Sequence, residues 1–170
     1  MDQDLTIRMA EENDLASIVG IYNQAIRAKN ACGDIHEFDV EDKRDWFKTY
    51  NGHAYPMYVA ERDNNIVGYC TMSPYRAGKK GFNAVAEISY YLDYQFHNKG
   101  IGSALVKHAI ADCPRIQKDI LLAVLIDINH TSIRLLEKFK FEKWGSIPDV
   151  IEIDGKKCGH LIYGLKIKTP

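Results

Sequence analysis

The chain predicts one α/β domain, α+β in its mixing of hairpins with crossovers, on a mixed, mostly antiparallel central sheet of about seven strands with helices on both faces. Three observations carry that expectation. Hydrophobic periodicity changes along the chain in the order strand, helix, helix, strand, strand, strand, helix, strand, helix, strand, strand. The run ILLAVLI within Asp119 to Ile126 is apolar without interruption, as in a central strand covered on both faces. The 170 residues suffice for one substantial core, and no repeat, low-complexity tract or linker divides them, so 1–170 is read as a single domain.

Leu5 to Met9 alternates as a first strand, with Leu5, Ile7 and Met9 on one side. Asn13 or Asp14 can cap the next element, where Leu15, Ile18, Val19, Tyr22 and Ile26 fall at helical spacing to about Ala28. Lys29 to Phe38 is polar and reads as an exposed loop, and Val40 to Tyr50 as a second helix containing Trp46 and Phe47. Met57 to Glu61 and Ile66 to Ser73 form a hairpin through the polar turn Arg62 to Asn65. Tyr75 to Asn83, with three basic residues and two glycines, is expected to be a mobile loop. Ala86 to Leu92 is the fourth strand. After it come a glycine turn and a helix ending near Pro114. The fifth strand, Asp119 to Ile126, precedes a short helix opened by Asn129, with Ser132, Leu135, Leu136 and Phe139 facing inward. A strand from Phe141 toward Ser146 follows, and Val150 to Lys168 reads as a hairpin turning at Asp154 and Gly155.

Composition narrows the function classes. Basic and acidic residues number 22 and 23, and no basic run occurs, so a nucleic-acid partner is not expected. Cys32, Cys70, Cys113 and Cys158 form no CxxC pair, which predicts reduced thiols and neither a zinc site nor a redox motif. The polar, acidic start and the lack of an apolar run of spanning length predict a cytoplasmic protein without membrane attachment.

The chemical signal lies at Glu87 to Ile110, where a strand, a glycine turn and a helix follow one another. His97, Asn98, Lys99, Gly100, Ile101 and Gly102 lead into a helix whose face is Ile101, Leu105, Val106, Ala109 and Ile110, with Ser103 and Lys107 opposite. Bare amide N–H groups at the positive end of a helix dipole, beside a lysine, suit a phosphate or pyrophosphate. The alternative use of Gly100 and Gly102 is close packing of helix on sheet. A dinucleotide-binding domain would place this turn after its first strand and add a third glycine where Leu105 stands. No GxxxxGK followed by Ser or Thr exists to make a P-loop.

HNKGIG, with His97 in place of the usual Gln or Arg, resembles the (Q/R)xxGx(G/A) turn of the GNAT superfamily of acetyl-coenzyme A-dependent N-acetyltransferases, and NHTSIRLLEKFKF resembles its NxxSxxLYEKxGF element. IYNQAI, EDKRDWF, SPYR and EISYY are similar to the phosphinothricin and methionine sulfoximine acetyltransferase group. The resemblance implies a GNAT fold with splayed fourth and fifth strands, acetyl-CoA as co-substrate, no metal, and direct attack by a substrate amine in a ternary complex. The implied acceptor is a small-molecule primary amine, an amino acid or its analogue, and a homodimer is expected. By the same likeness the backbone of Ile88, Ser89, Tyr90 and Tyr91 takes the pantetheine arm. His97, Asn98, Lys99, Gly100, Ile101, Gly102 and Ser103 take the pyrophosphate, and Asn129 and Ser132 complete the cofactor site.

Asn129 is equally natural as a helix cap. Tyr90 and Tyr91 point to opposite faces, so at most one is expected to line the cleft. Glu87 is the implied general base, and a carboxylate in an apolar strand has a raised pKa suited to that work; the alternative is a salt-bridged glutamate at a strand start. Arg76 matches a basic residue near the acceptor carboxylate, or is a solvated loop arginine. Leu136 stands where members carry a proton-donating Tyr or His, and Lys140 replaces a glycine, which predicts a different helix end. The segment NACGDIHEFD departs from the group in a loop that shapes the acceptor pocket, so phosphinothricin itself is left open. A coenzyme A-binding module with little turnover and an enzyme acting on a protein amine are the competing readings.

Overall fold

A computed structural model describes residues 5–167. Seven strands lie in the order β1-β2-β3-β4-β5-β7-β6, with ranges β1 Thr6–Met9, β2 Met57–Arg62, β3 Asn65–Pro74, β4 Val85–Leu92, β5 Ile120–Ile126, β6 Glu142–Ile153 and β7 Lys156–Lys166. The helices are α1 Leu15–Ala28, α2 Arg44–Lys48, α3 Ile101–Asp112 and α4 His130–Lys138. Element order and the mixed sheet agree with the sequence expectation. Within the described sheet β4 and β5 pair in parallel, because α3 carries the chain over between them, and the other pairs are antiparallel.

Alternation along the strands divides the core between two helical layers. Met57, Val59 and Tyr69 pack with Ile18 and Ile21 of α1, while Tyr58, Ala60, Cys70 and Met72 pack with Leu105, Val106 and Ala109 of α3. Two tight turns set the hairpin registers. Asp63 and Asn64 have φ of 50° and 59°, and Asp154 and Gly155 of 51° and 74°, as two-residue turns matched to strand twist require.

Four local expectations are corrected. Asp14 does not cap α1 with its side chain; its carboxylate accepts from Glu11 N (2.8 Å) and pairs with Arg8 at 2.7 Å. The predicted helix from Val40 to Tyr50 is a 3-10 turn, Glu41–Lys43, followed by the short α2. Asp42 accepts from Asp39 N and Thr49 Oγ1 donates to Trp46 O, so side chains compete with the helical ladder at both ends. The strand from Phe141 and the outgoing half of the last hairpin are one strand, β6, whose pairing with β7 shifts between Ile147 and Ile151 around Pro148 and Asp149, the latter at φ 56°. The predicted end at Lys168 lies outside the described residues. Finally, α4 ends in a left-handed residue despite the missing glycine. Lys140 adopts φ 67° and Phe141 N donates to Leu136 O at 3.1 Å, because the path into β6 requires that turn whatever the side chain.

Candidate active site

The site begins where the parallel ladder stops. β4 and β5 pair only at Val85–Ile120, Ala86–Leu121 and Glu87–Leu122, while β4 stays paired with β3 as far as Leu92 and β5 with β7 as far as Ile126. Beyond Glu87 the two strands therefore diverge and turn main-chain edges toward each other. A cleft of about 210 Å³ opens between them, lined by Ile88–Leu92, Ala123–Leu125, His97, Asn98, Asn129, Ser132 and Leu136. Unpaired strand edges present the donors and acceptors that an extended ligand can join.

The glycine turn closes one end. Asn98 and Gly100 have φ of 60° and 79°, and Gly100 is the N-cap of α3. The first helical bond runs from Ala104 N to Gly100 O, so the amides of Ile101, Gly102 and Ser103 precede the ladder and have no partner within it. The two glycines differ in use. Gly100 supplies the left-handed conformation, whereas a Cβ on Gly102 would stand 3.1 Å from Leu135 Cδ2 and 3.5 Å from Leu92 Cδ1, so Gly102 also permits close packing of α3. Ile101 is buried and offers its amide only. Lys99 Nζ lies 4.7 Å from the Phe96 ring centroid, the His97 ring lies 4.3 Å from that of Tyr94, and Ser103 Oγ accepts from Lys138 Nζ at 3.1 Å.

Asn129 caps α4, its Oδ1 accepting from Ser132 N at 3.2 Å, which orients its amide NH₂ for another acceptor. Tyr90 and Tyr91 both line the cleft, contrary to the expectation that at most one would. They do point to opposite faces, Tyr90 to the α3 side and Tyr91 against Tyr22 and Tyr69, but the divergence of β4 from β5 opens the sheet through its thickness. Tyr90 Oη is buried with no formed hydrogen bond; burial pushes its pKa up to about 12, and nearby Ser132 opposes the rise. A buried hydroxyl without a partner suits a bound polar group.

A second cavity, about 150 Å³, lies on the other face of β4 under α1 and α2. Tyr22, Trp46, Tyr50, Tyr69 and Tyr91 form its aromatic walls, Thr71, Ser73 and Ser89 a hydroxyl-bearing floor, and Lys43 its cationic side. Ser89 and Tyr91 line both cavities, so one short stretch of β4 separates them. Glu87 stands at the fork, two residues before Ser89 and paired with Ser73 across the β3–β4 ladder. It is half-buried, burial raises its pKa, and its carboxylate has no ion pair or hydrogen bond among the described residues. Glu87 itself lines neither cavity.

Arg76 lies apart from these groups. It is exposed in the turn after β3, with its guanidinium 5.7 Å from the Tyr75 ring centroid, and it lines neither cavity. The cation that does line the second cavity, Lys43, was missed by sequence reasoning. Its only signal was its place in EDKRDWF, one turn of helix before Trp46 and Phe47. Among the described residues no cluster of His, Cys, Asp and Glu could hold a metal, and no helix is long and apolar enough to cross a membrane.

A sheet forked between β4 and β5, with a glycine-initiated helix at one end of the cleft and a half-buried carboxylate where the ladder stops, is the arrangement that the sequence resemblance implied. The Acetyltransferase (GNAT) family profile matches residues 18–141, and the chain belongs to that family of acetyltransferases. It is 35% identical over 166 residues to YwnH of Bacillus subtilis, spanning 96% of each protein. The L-methionine sulfoximine/L-methionine sulfone acetyltransferase of Salmonella typhimurium is 29% identical over 86% of this chain and 85% of its own length. Among solved structures, a GNAT superfamily phosphinothricin acetyltransferase from Sinorhizobium meliloti in complex with AcCoA superposes with a TM-score of 0.90 at 25% identity, covering 96% of this chain and 88% of that one.

Proposed function

We propose that this acetyltransferase moves an acetyl group from acetyl-CoA to the primary amine of a small molecule, an amino acid or its analogue, in a ternary complex. The observation that carries the reading is the pair of cavities meeting at Ser89 and Tyr91 beside Glu87. The residues present suit acetyl-CoA: unpaired strand edges for an extended arm, uncommitted amides at Ile101 to Ser103 for a pyrophosphate, and an unpartnered Tyr90 hydroxyl in between. Bound there, acetyl-CoA supplies an acetyl group activated as a thioester.

The chain's own groups have separable tasks. Main-chain groups of Ile88 to Tyr91 hold the arm, and Asn98, Lys99 and Gly100 with His97 border the anionic end. Asn129 and Ser132 orient the coenzyme from α4. Glu87 takes the proton from the acceptor ammonium, directly or through water, and its burial-raised pKa brings it nearer that of the group it deprotonates. Leu136, 1% exposed, offers the departing thiol no proton, which is tolerable because a thiolate is a fair leaving group. A cytoplasmic homodimer belongs to the same reading; sedimentation measures the oligomeric part.

Thiol release from acetyl-CoA across a panel of amines tests the proposal. Rapid release with amino acids supports it. Tight acetyl-CoA binding with no amine-dependent release would instead favour a binding module, and release only with peptides a protein acceptor. The small, aromatic-walled second cavity favours the small molecule.

A further inference from the structure

We infer that Lys43 is the specificity-determining cation of the acceptor cavity, and that it selects amines that also carry a carboxylate. This rests on the acceptor reading above and extends it to the residue that holds the acceptor carboxylate. Lys43 ends the 3-10 turn before α2 and is half-buried. Its Nζ lies 3.6 Å from the ring centroid of Phe38, 5.2 Å from Tyr22 and 5.4 Å from Trp46, so three rings aim the ammonium.

No carboxylate among the described residues lies within ion-pair distance of that ammonium. Four acidic side chains of the flanking segments are committed elsewhere. Glu41 pairs with Arg44 at 2.6 Å, Asp45 with Lys48 at 3.2 Å, Asp42 accepts from Asp39 N at 2.9 Å, and Asp34 accepts from Tyr22 Oη. An acceptor filling the cavity displaces water from the ammonium, and a desolvated cation without an anion is costly. A ligand carboxylate removes that cost and adds a charge-assisted hydrogen bond.

The polarity of the cavity gives the rest of the substrate class. Lys43 lies on the side formed by α1 and α2, while Ser89, Thr71 and Ser73 lie toward Glu87, the carboxylate at the fork. A zwitterion whose ammonium turns to Glu87 and whose carboxylate turns to Lys43 matches this gradient; a simple alkylamine satisfies one end only. Arg76, the sequence-level candidate for this task, lines no part of the cavity. The competing use of Lys43 is purely structural, clamping Phe38 and its loop against α2. A clamp would serve every acceptor alike.

The test pairs an amino acid with its own carboxamide, methionine sulfone and methionine sulfone amide, and measures steady-state acetylation by the wild type, Lys43→Met and Lys43→Arg. Lys43→Met should raise KM for the acid by about 10- to 100-fold, the range of one charged hydrogen bond, and leave KM for the amide and for acetyl-CoA within about twofold. Lys43→Arg should keep most of the acid preference. Equal losses for acid and amide, or none for either, would overturn the inference. Should the wild type acetylate no amine at all, the acceptor reading fails by itself, and Lys43 is then read from the fluorescence of Trp46 in a Trp144→Phe background. Saturable quenching by the acid but not the amide, lost in Lys43→Met, supports the carboxylate site, and identical titrations of the two ligands reject it.

Discussion

The two cavities that meet at β4 are built from different materials. The cleft between β4 and β5 is walled mainly by main chain, by strand edges and helix-terminal amides, with glycine setting the approach. The second cavity, proposed above for the acceptor, is walled by side chains that converge from α1, the turn before α2, α2 itself, β3 and β4. A site made of backbone tolerates wide sequence change outside its few glycines. A side-chain site changes its ligand with every substitution, which suits a family whose members share a donor and differ in acceptor.

Glu87 belongs to neither wall, so its replacement should separate chemistry from both binding sites and have the largest effect. Glu87→Gln should lower kcat by about 10²- to 10⁴-fold with both KM values nearly unchanged. Stability should move the other way. Burial raises the folded-state pKa above the unfolded value, so the folded protein binds the proton more tightly, and stability falls as pH rises from the ordinary carboxylate range through the raised value. Glu87→Gln should therefore melt higher than the wild type at pH 7, with the difference vanishing below pH of about 4. In the wild type, loss of kcat/KM on acidification should start above the ordinary glutamate pKa; a profile flat through that range in an active enzyme removes Glu87 as base.

Gly100→Val probes the backbone site alone. A β-branched residue at φ 79° is strained by about 1–2 kcal/mol, and KM for acetyl-CoA should rise by roughly tenfold while KM for the acceptor stays put. Tyr22→Phe is its counterpart across β4. Losing the bond to Asp34 frees the Tyr22 ring, a wall of the second cavity, so KM for the acceptor should rise by roughly threefold to tenfold with a smaller change for acetyl-CoA. If either variant moved both constants equally, the division between the two walls would be wrong. Lys140→Gly lies away from both cavities and should be kinetically silent, raising stability by about 1 kcal/mol in a thermal melt by relieving a left-handed lysine.

Features that were legible in the chain are those with local causes. The hairpin of Met57 to Glu61 with Ile66 to Ser73, the apolar run of the fifth strand and the helical face of Ile101, Leu105, Val106 and Ala109 each have their cause in adjacent residues, and each forms as read. The second helix forms around Trp46 and Phe47 but is shorter than its expected span, because Asp42 and Thr49 bind the backbone at its two ends. The absence of glycine at Lys140 does not remove the left-handed turn, because the connection to β6 imposes that conformation.

By itself, the sequence determined the part of this protein proposed to take the donor: a strand, a glycine turn and a helix are contiguous, and a few backbone preferences oblige them to form a helix start with uncommitted amides. Only the tertiary structure decided where β4 leaves β5, that Glu87 stands alone at that fork, and that Lys43 rather than Arg76 reaches the acceptor cavity. The physical reason is range. The ring cluster around Lys43 joins Tyr22, Phe38 and Trp46, and the fork depends on pairings of β4 with β3 and of β5 with β7, contacts that no window of local sequence contains.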